Sequence, residues 1–194
     1  MGKKDLYIIA GCNGAGKTTA SFTILPEILD CKEFVNADEI AKGLSPFQPD
    51  RVSIEAGRIM LNRINELLNE NESFAFETTL STRSYMPKIV KAKENGYKIT
   101  LLFFWLSSTE LAKERVLTRV KEGGHNIEPD VIVRRYYKGI NNLFELYLPI
   151  VDEAQIFDNS EGKHIPIAEK FHELIEVIDE KKFNHLKEIY GNKK

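Results

Sequence analysis

Residues 11–18 read Gly-Cys-Asn-Gly-Ala-Gly-Lys-Thr, a complete G-x-x-x-x-G-K-[ST] pattern. Few short patterns constrain a fold so strongly, because each position has a mechanical task. The glycines let the backbone wrap a polyphosphate so that successive N–H groups point inward. A helix starting at Gly16-Lys17 adds the partial positive charge of its N-terminus. Lys17 then reaches the β- and γ-phosphates, and the Thr18 hydroxyl is placed to ligate Mg²⁺. The pattern carries this meaning only between a strand and a helix. The apolar run from Asp5 to Ala10 has strand length, and the stretch from Thr18 to Leu25 reads as a helix that stops at Pro26. The loop from Gly11 to Thr19, including Cys12, Asn13, Gly14, Ala15 and Gly16, is therefore expected to bind ATP.

The rest of the chain alternates strands with helices. Glu33–Asn36, Ser73–Glu77, Tyr97–Leu106 and Ala154–Asp158 are strand candidates, with an edge strand at Ile165–Ala168. Helices are expected over 51–69, 85–95, 108–121 and 129–147, with a last one from Glu169 to Ile189. The run from Ile99 to Leu106 is apolar almost throughout, as a strand buried on both faces requires. The expectation is an α/β, three-layer P-loop kinase-like fold. Its sheet is mostly parallel, five- or six-stranded, with helices on both faces and a helical lid around residues 108–147. At 194 residues, 42% hydrophobic and 29% charged, the chain reads as a single domain.

Composition excludes several classes. A net charge of −2 supplies no general pull toward nucleic acid or anionic membrane, and no basic stripe interleaved with aromatics is evident. No stretch of eighteen apolar residues occurs, and the N-terminus passes directly into a strand without a leader pattern. Two cysteines, Cys12 and Cys31, make neither a disulfide framework nor a metal cluster, which fits a reducing cytoplasm. No guanine-reading N-K-x-D pattern is present.

Ligands of open parallel sheets lie beyond the carboxyl ends of the strands. Strand two ends at Asn36-Ala37-Asp38 and strand three at Glu77-Thr78-Thr79. Two strands thus deliver carboxylates to the rim that holds the γ-phosphate. Phosphoryl transfer needs positioning, charge neutralisation and a carboxylate to take the acceptor's proton. Asp38 suits that last task, and Glu77 with Thr79 suits holding hydroxyls of a small acceptor. Cations over the transferring group are expected from Arg115, Arg119, His125, Arg134 and Arg135, around a Gly123-Gly124 break that reads as a hinge. Arg134 and Arg135 are adjacent, so on a helix they point different ways.

Together GCNGAGKTT (11–19), FVNADEIAKGLSP (34–46), FAFETTLS (74–81), ERVLTRVKEGGHNI (114–127) and RRYYKGI (134–140) resemble the zeta toxin family, in its compact chromosomal form. The resemblance implies a P-loop kinase that uses ATP and Mg²⁺ to phosphorylate the sugar 3′-hydroxyl of UDP-N-acetylglucosamine. By position it implies Lys17 on the terminal phosphates, Thr18 on Mg²⁺, Asp38 as catalytic base, and Glu77 and Thr79 on the acceptor. Arg119 matches the first of two lid arginines. The second falls at or near His125, with Arg134 and Arg135 as the next candidates. A nucleotide sugar and an antitoxin protein are the implied partners. Other acceptors (a metabolite, a nucleotide, an RNA 5′-hydroxyl) and a non-catalytic ATP-binding module stand as alternatives.

Overall fold

The computed structural model describes residues 4–124 and 126–191. Seven strands form one sheet: β1 (Asp5–Gly11), β2 (Phe34–Val35), β3 (Phe74–Thr78), β4 (Lys98–Trp105), β5 (Glu153–Asp158), β6 (Ile165–Phe171) and β7 (Leu174–Val177). Their spatial order is β2-β3-β1-β4-β5-β6-β7. The first five are parallel, and β6 and β7 close the far edge as an antiparallel pair. The centre is apolar on both faces. Leu101 to Trp105 point alternately up and down, yet all five are buried, so helices must cover the sheet on either side at its middle.

Among the described residues six α-helices fill the crossovers, α1 (Lys17–Thr23), α2 (Ala37–Leu44), α3 (Ser53–Glu70), α4 (Met86–Glu94), α5 (Thr109–Lys121) and α6 (Pro129–Asn142), and α7 (Glu180–Gly191) follows the last strand. Their starts follow ordinary capping chemistry. Ser108 Oγ accepts from Leu111 N–H at 3.1 Å ahead of α5, and Pro129 sits where its missing N–H costs nothing at the start of α6. Along α3, Ala56, Met60, Ile64, Leu67 and Leu68 make the buried stripe that its spacing predicts.

Two expectations are corrected. Pro26 does not stop the first helix at Leu25. α1 passes instead into a π turn over Ile24–Ile28, closed by Leu29 N–H on Ile24 C=O at 3.1 Å, a bonding pattern that has no use for the proline nitrogen. The last helix does not begin at Glu169. Residues 165–177 form a hairpin whose two-residue turn places His172 at φ 52°, and α7 starts only at Glu180, where Asp179 caps it by accepting from Lys182 N–H at 3.0 Å. The sheet accordingly has seven strands instead of five or six. β-Branched Ile175 and Val177 on an edge strand outweigh the local helical spacing.

Candidate active site

The phosphate-binding loop leaves β1 at Gly11 and enters α1 at Lys17. Gly16 holds φ +79°, a left-handed conformation that L-residues resist, and a Cβ there would lie 2.7 Å from Asn159 Nδ2. That amide donates to Ala15 C=O at 2.7 Å, so the loop after β5 braces the glycine turn from outside. Lys17 is 6% exposed, and its ammonium donates to Cys12 C=O at 3.0 Å. The loop thus closes on itself, with Ala15 N–H and the buried Lys17 ammonium both on the Cys12 carbonyl. Thr19, also expected to contact the nucleotide, is exposed on the first turn of α1.

Glu77, near the end of β3, is the hub of the site. One carboxylate oxygen accepts from Thr18 Oγ1 at 2.8 Å and from Asn36 Nδ2 at 2.9 Å, while the other lies 3.5 Å from Lys17 Nζ. This carboxylate therefore belongs as much to the phosphate loop as to any acceptor. Asn36, the residue between β2 and α2, also accepts from Asp38 N–H at 2.8 Å, capping α2. Asp38 lies in the first turn of that helix, half-buried.

One cleft of about 260 Å³ lies here, lined by Asn13, Lys17, Asn36, Asp38, Glu77 and Arg135 and by the hydroxyl-bearing residues Thr78, Thr79, Ser81, Thr82 and Tyr85. Arg135 comes from α6 and donates to Asn13 Oδ1 at 3.4 Å. Burial pulls its guanidinium below the ordinary arginine value, the Asp38 carboxylate opposes that effect, and the Arg134 charge reinforces it. Tyr85 stacks on Phe76, with ring centroids 4.9 Å apart. Its phenol is pushed up, first by burial and then by Asp38. The hydroxyls of the 78–82 loop are held in place from α6 and the turn that follows it. Asn142 Nδ2 donates to Leu80 C=O at 2.6 Å, and Tyr147 donates to Thr82 C=O at 3.2 Å.

The arginines expected on the lid separate. Arg135 lines the cleft, whereas Arg134 is exposed one position away on α6. Arg119 does not line the cleft. Its side-chain stem folds against Gly124, whose N–H donates to the Arg119 carbonyl at 2.8 Å. His125 lies outside the described residues. Arg115 sits beside the glycine loop and donates to Ser160 C=O at 2.8 Å. Asn36, Ser81, Thr82 and Tyr85 are cleft residues that sequence reasoning passed over. Only Asn36 left a signal, an asparagine at a strand-to-helix junction two residues before an acid.

A glycine loop at the carboxyl edge of a parallel sheet, facing strand-end acids, defines the P-loop kinase fold class. Within that class the chain belongs to the zeta toxin family, whose pattern, described as "Zeta toxin", matches residues 1–170. An uncharacterized protein of Haemophilus influenzae (strain ATCC 51907 / DSM 11121 / KW20 / Rd) is 34% identical over 145 residues, which is 70% of this chain and all of that one. Among solved structures, a complex of AvrRxo1-ORF1 and AvrRxo1-ORF2 with ATP matches at TM-score 0.78 and 18% identity. It covers 95% of this chain, which spans 63% of the matched one. The PezAT chromosomal toxin–antitoxin system of Streptococcus pneumoniae matches at TM-score 0.70 and 18% identity, over all of this chain and 81% of that one. At such identities the structural likeness shows the fold. No helix among the described residues is long and apolar enough to cross a membrane.

Proposed function

We propose that this chain is a cytoplasmic ATP-dependent phosphotransferase acting on a hydroxyl of a small acceptor, with the 3′-hydroxyl of UDP-N-acetylglucosamine as first candidate. One observation carries the reading: Asp38 and Glu77, from two different strand ends, share a single cleft with the phosphate-loop lysine. A module that only captured ATP would need no acids on the acceptor side. Family membership supports the reading, and a relative of the same fold was solved with ATP.

In the proposed reaction the acceptor hydroxyl lies against Asp38, which takes its proton as the new O–P bond forms. The bond from the γ-phosphorus to the ADP oxygen breaks, and Lys17 offsets the charge that develops on the outer phosphates. Arg135 supplies a second cation from the far wall. Thr79, Ser81 and Thr82 offer hydroxyl partners to a polyhydroxylated acceptor. Magnesium arriving with the nucleotide fits the oxygen donors present: the Thr18 hydroxyl and the Glu77 carboxylate would hold it, adding charge neutralisation between the outer phosphates. An antitoxin protein is proposed as partner, supported by the fold shared with the PezAT toxin–antitoxin system.

A second acceptor class, a smaller uncharged polyol, is favoured by the charges of the cleft. Its only cations among the described lining residues are Lys17 and Arg135, and a diphosphate-bearing acceptor would have to share them with ATP. Incubating the protein with labelled ATP and a bacterial metabolite extract, then identifying the labelled product by mass, separates the two. For the reaction itself the decisive variant is Asp38→Asn. It should lower transfer by about a thousandfold or more while ATP affinity stays within about threefold. Transfer at the parental rate in that variant removes Asp38 from the chemistry.

A further inference from the structure

Asn36 makes a connection that no other side chain described in the cleft provides. It is 5% exposed, and its carboxamide is used from both ends: Oδ1 accepts from Asp38 N–H, and Nδ2 donates to Glu77 Oε2. The amide orientation follows from the partners, since the oxygen must face the N–H and the nitrogen must face the carboxylate. A helix cap alone would be served equally well by serine, threonine or aspartate. The carboxamide puts its acceptor and its donor on separate atoms, so both bonds are held at once.

Glu77 has three donors, and two of them, Lys17 and Thr18, are the groups that P-loop chemistry assigns to the nucleotide. Once they turn to phosphate and metal, Asn36 is the donor still committed to Glu77. The same amide sets the first turn of α2, from which the Asp38 side chain leaves. Resting on the kinase reading above, we propose that Asn36 is a positioning residue for phosphoryl transfer. It holds Asp38 and Glu77 at a fixed mutual placement and keeps the Glu77 carboxylate turned toward the phosphate loop.

Three substitutions separate this role from simple capping. Asn36→Ser keeps a capping oxygen but, with one shorter hydroxyl in place of a separate oxygen and N–H₂, loses the Nδ2 bond to Glu77. Its kcat for transfer should fall about tenfold or more, with the KM for ATP within about threefold, because the loss lies in orientation and not in nucleotide binding. Asn36→Asp keeps the cap but sets a carboxylate oxygen against Glu77 Oε2 in place of the donor, so its kcat should fall at least as far as that of Asn36→Ser. In an E77Q background, Asn36→Ser should cost little further, since its target is already neutral.

The assay measures transfer to UDP-N-acetylglucosamine and, alongside it, phosphate release from ATP with water as acceptor. Thermal melts and ATP binding are recorded for every variant. No turnover in the parental protein by either assay overturns the kinase reading and this inference together. Parental turnover with unchanged kcat in both Asn36→Asp and Asn36→Ser overturns the role of Asn36 and leaves the kinase reading standing. Should Asn36→Asp fail to fold, Asn36→Ser and its combination with E77Q decide the matter alone.

Discussion

Cys12 stands inside the phosphate loop, with Lys17 and Arg115 close enough to favour a thiolate. Burial nevertheless dominates and pushes the thiol from 9.0 up to about 11, so the sulfur is a neutral packing group at physiological pH. The sign of the pH dependence follows. As pH rises past 9 the unfolded chain sheds this proton first, so the folded state holds more protons and stability falls until about pH 11. The loss attributable to Cys12 is up to about 3 kcal/mol. Tyr7 and Cys31, raised to about 12 and about 11 and both mainly by burial, act in the same direction. The expected outcome is a urea midpoint that drops between pH 9 and 11 in the parental protein and drops less in Cys12→Ala. Equal slopes would show that the thiol is not desolvated. At this scale the glycine loop, Lys17, Thr18, Asp38 and Glu77 were legible, because each owes its position to its own strand end. That Glu77 bonds to Thr18 was not legible, since the two lie 59 residues apart in the chain.

Among the elements, α6 carries most of what joins the cation to the hydroxyl loop. Gly139 permits that docking: a Cβ on it would lie 2.5 Å from the Thr79 carbonyl, a backbone atom that cannot turn aside. Asn142 and Tyr147 then fasten the same loop further along. These contacts tie the C-terminal part of α6 and its π turn to the strand-end loop. Gly139→Ala should cost about 1–3 kcal/mol in urea denaturation through overpacking. It should lower kcat/KM for the acceptor more than it weakens ATP binding, because α6 carries Arg135 and braces Thr79. An activity loss confined to ATP binding would contradict that assignment. The helical spacing of residues 129–147 is readable from sequence. Which of Arg134 and Arg135 turns inward is set by the packing of Gly139 and Tyr136, and the local pattern does not contain it.

For the molecule as a whole, the parallel order around β1 collects residues from positions 13 to 135 at one edge of the sheet. Binding at that edge ties the glycine loop, the α2 cap and α6 to one ligand, so it should resist unfolding of the entire chain. At MgATP one hundred times its dissociation constant the stabilisation is about 2.7 kcal/mol, which a thermal melt reads as an upward shift of several degrees. Lys17→Ala should abolish most of that shift, measured against its own ligand-free melt. A shift that survives the substitution would place ATP elsewhere. Sequence alone determined that this chain has a phosphate loop at a strand–helix junction, a parallel α/β core and two acids at successive strand ends. Each of these is written in a few neighbouring residues, through glycine stereochemistry, apolar periodicity and side-chain charge. Tertiary structure alone decided that the C-terminal segment is a hairpin, that Arg135 and not Arg119 lines the cleft, and that Asn36 joins the two acids. Those outcomes depend on which distant backbone atoms come into contact once the sheet is assembled, and no local pattern encodes such distances.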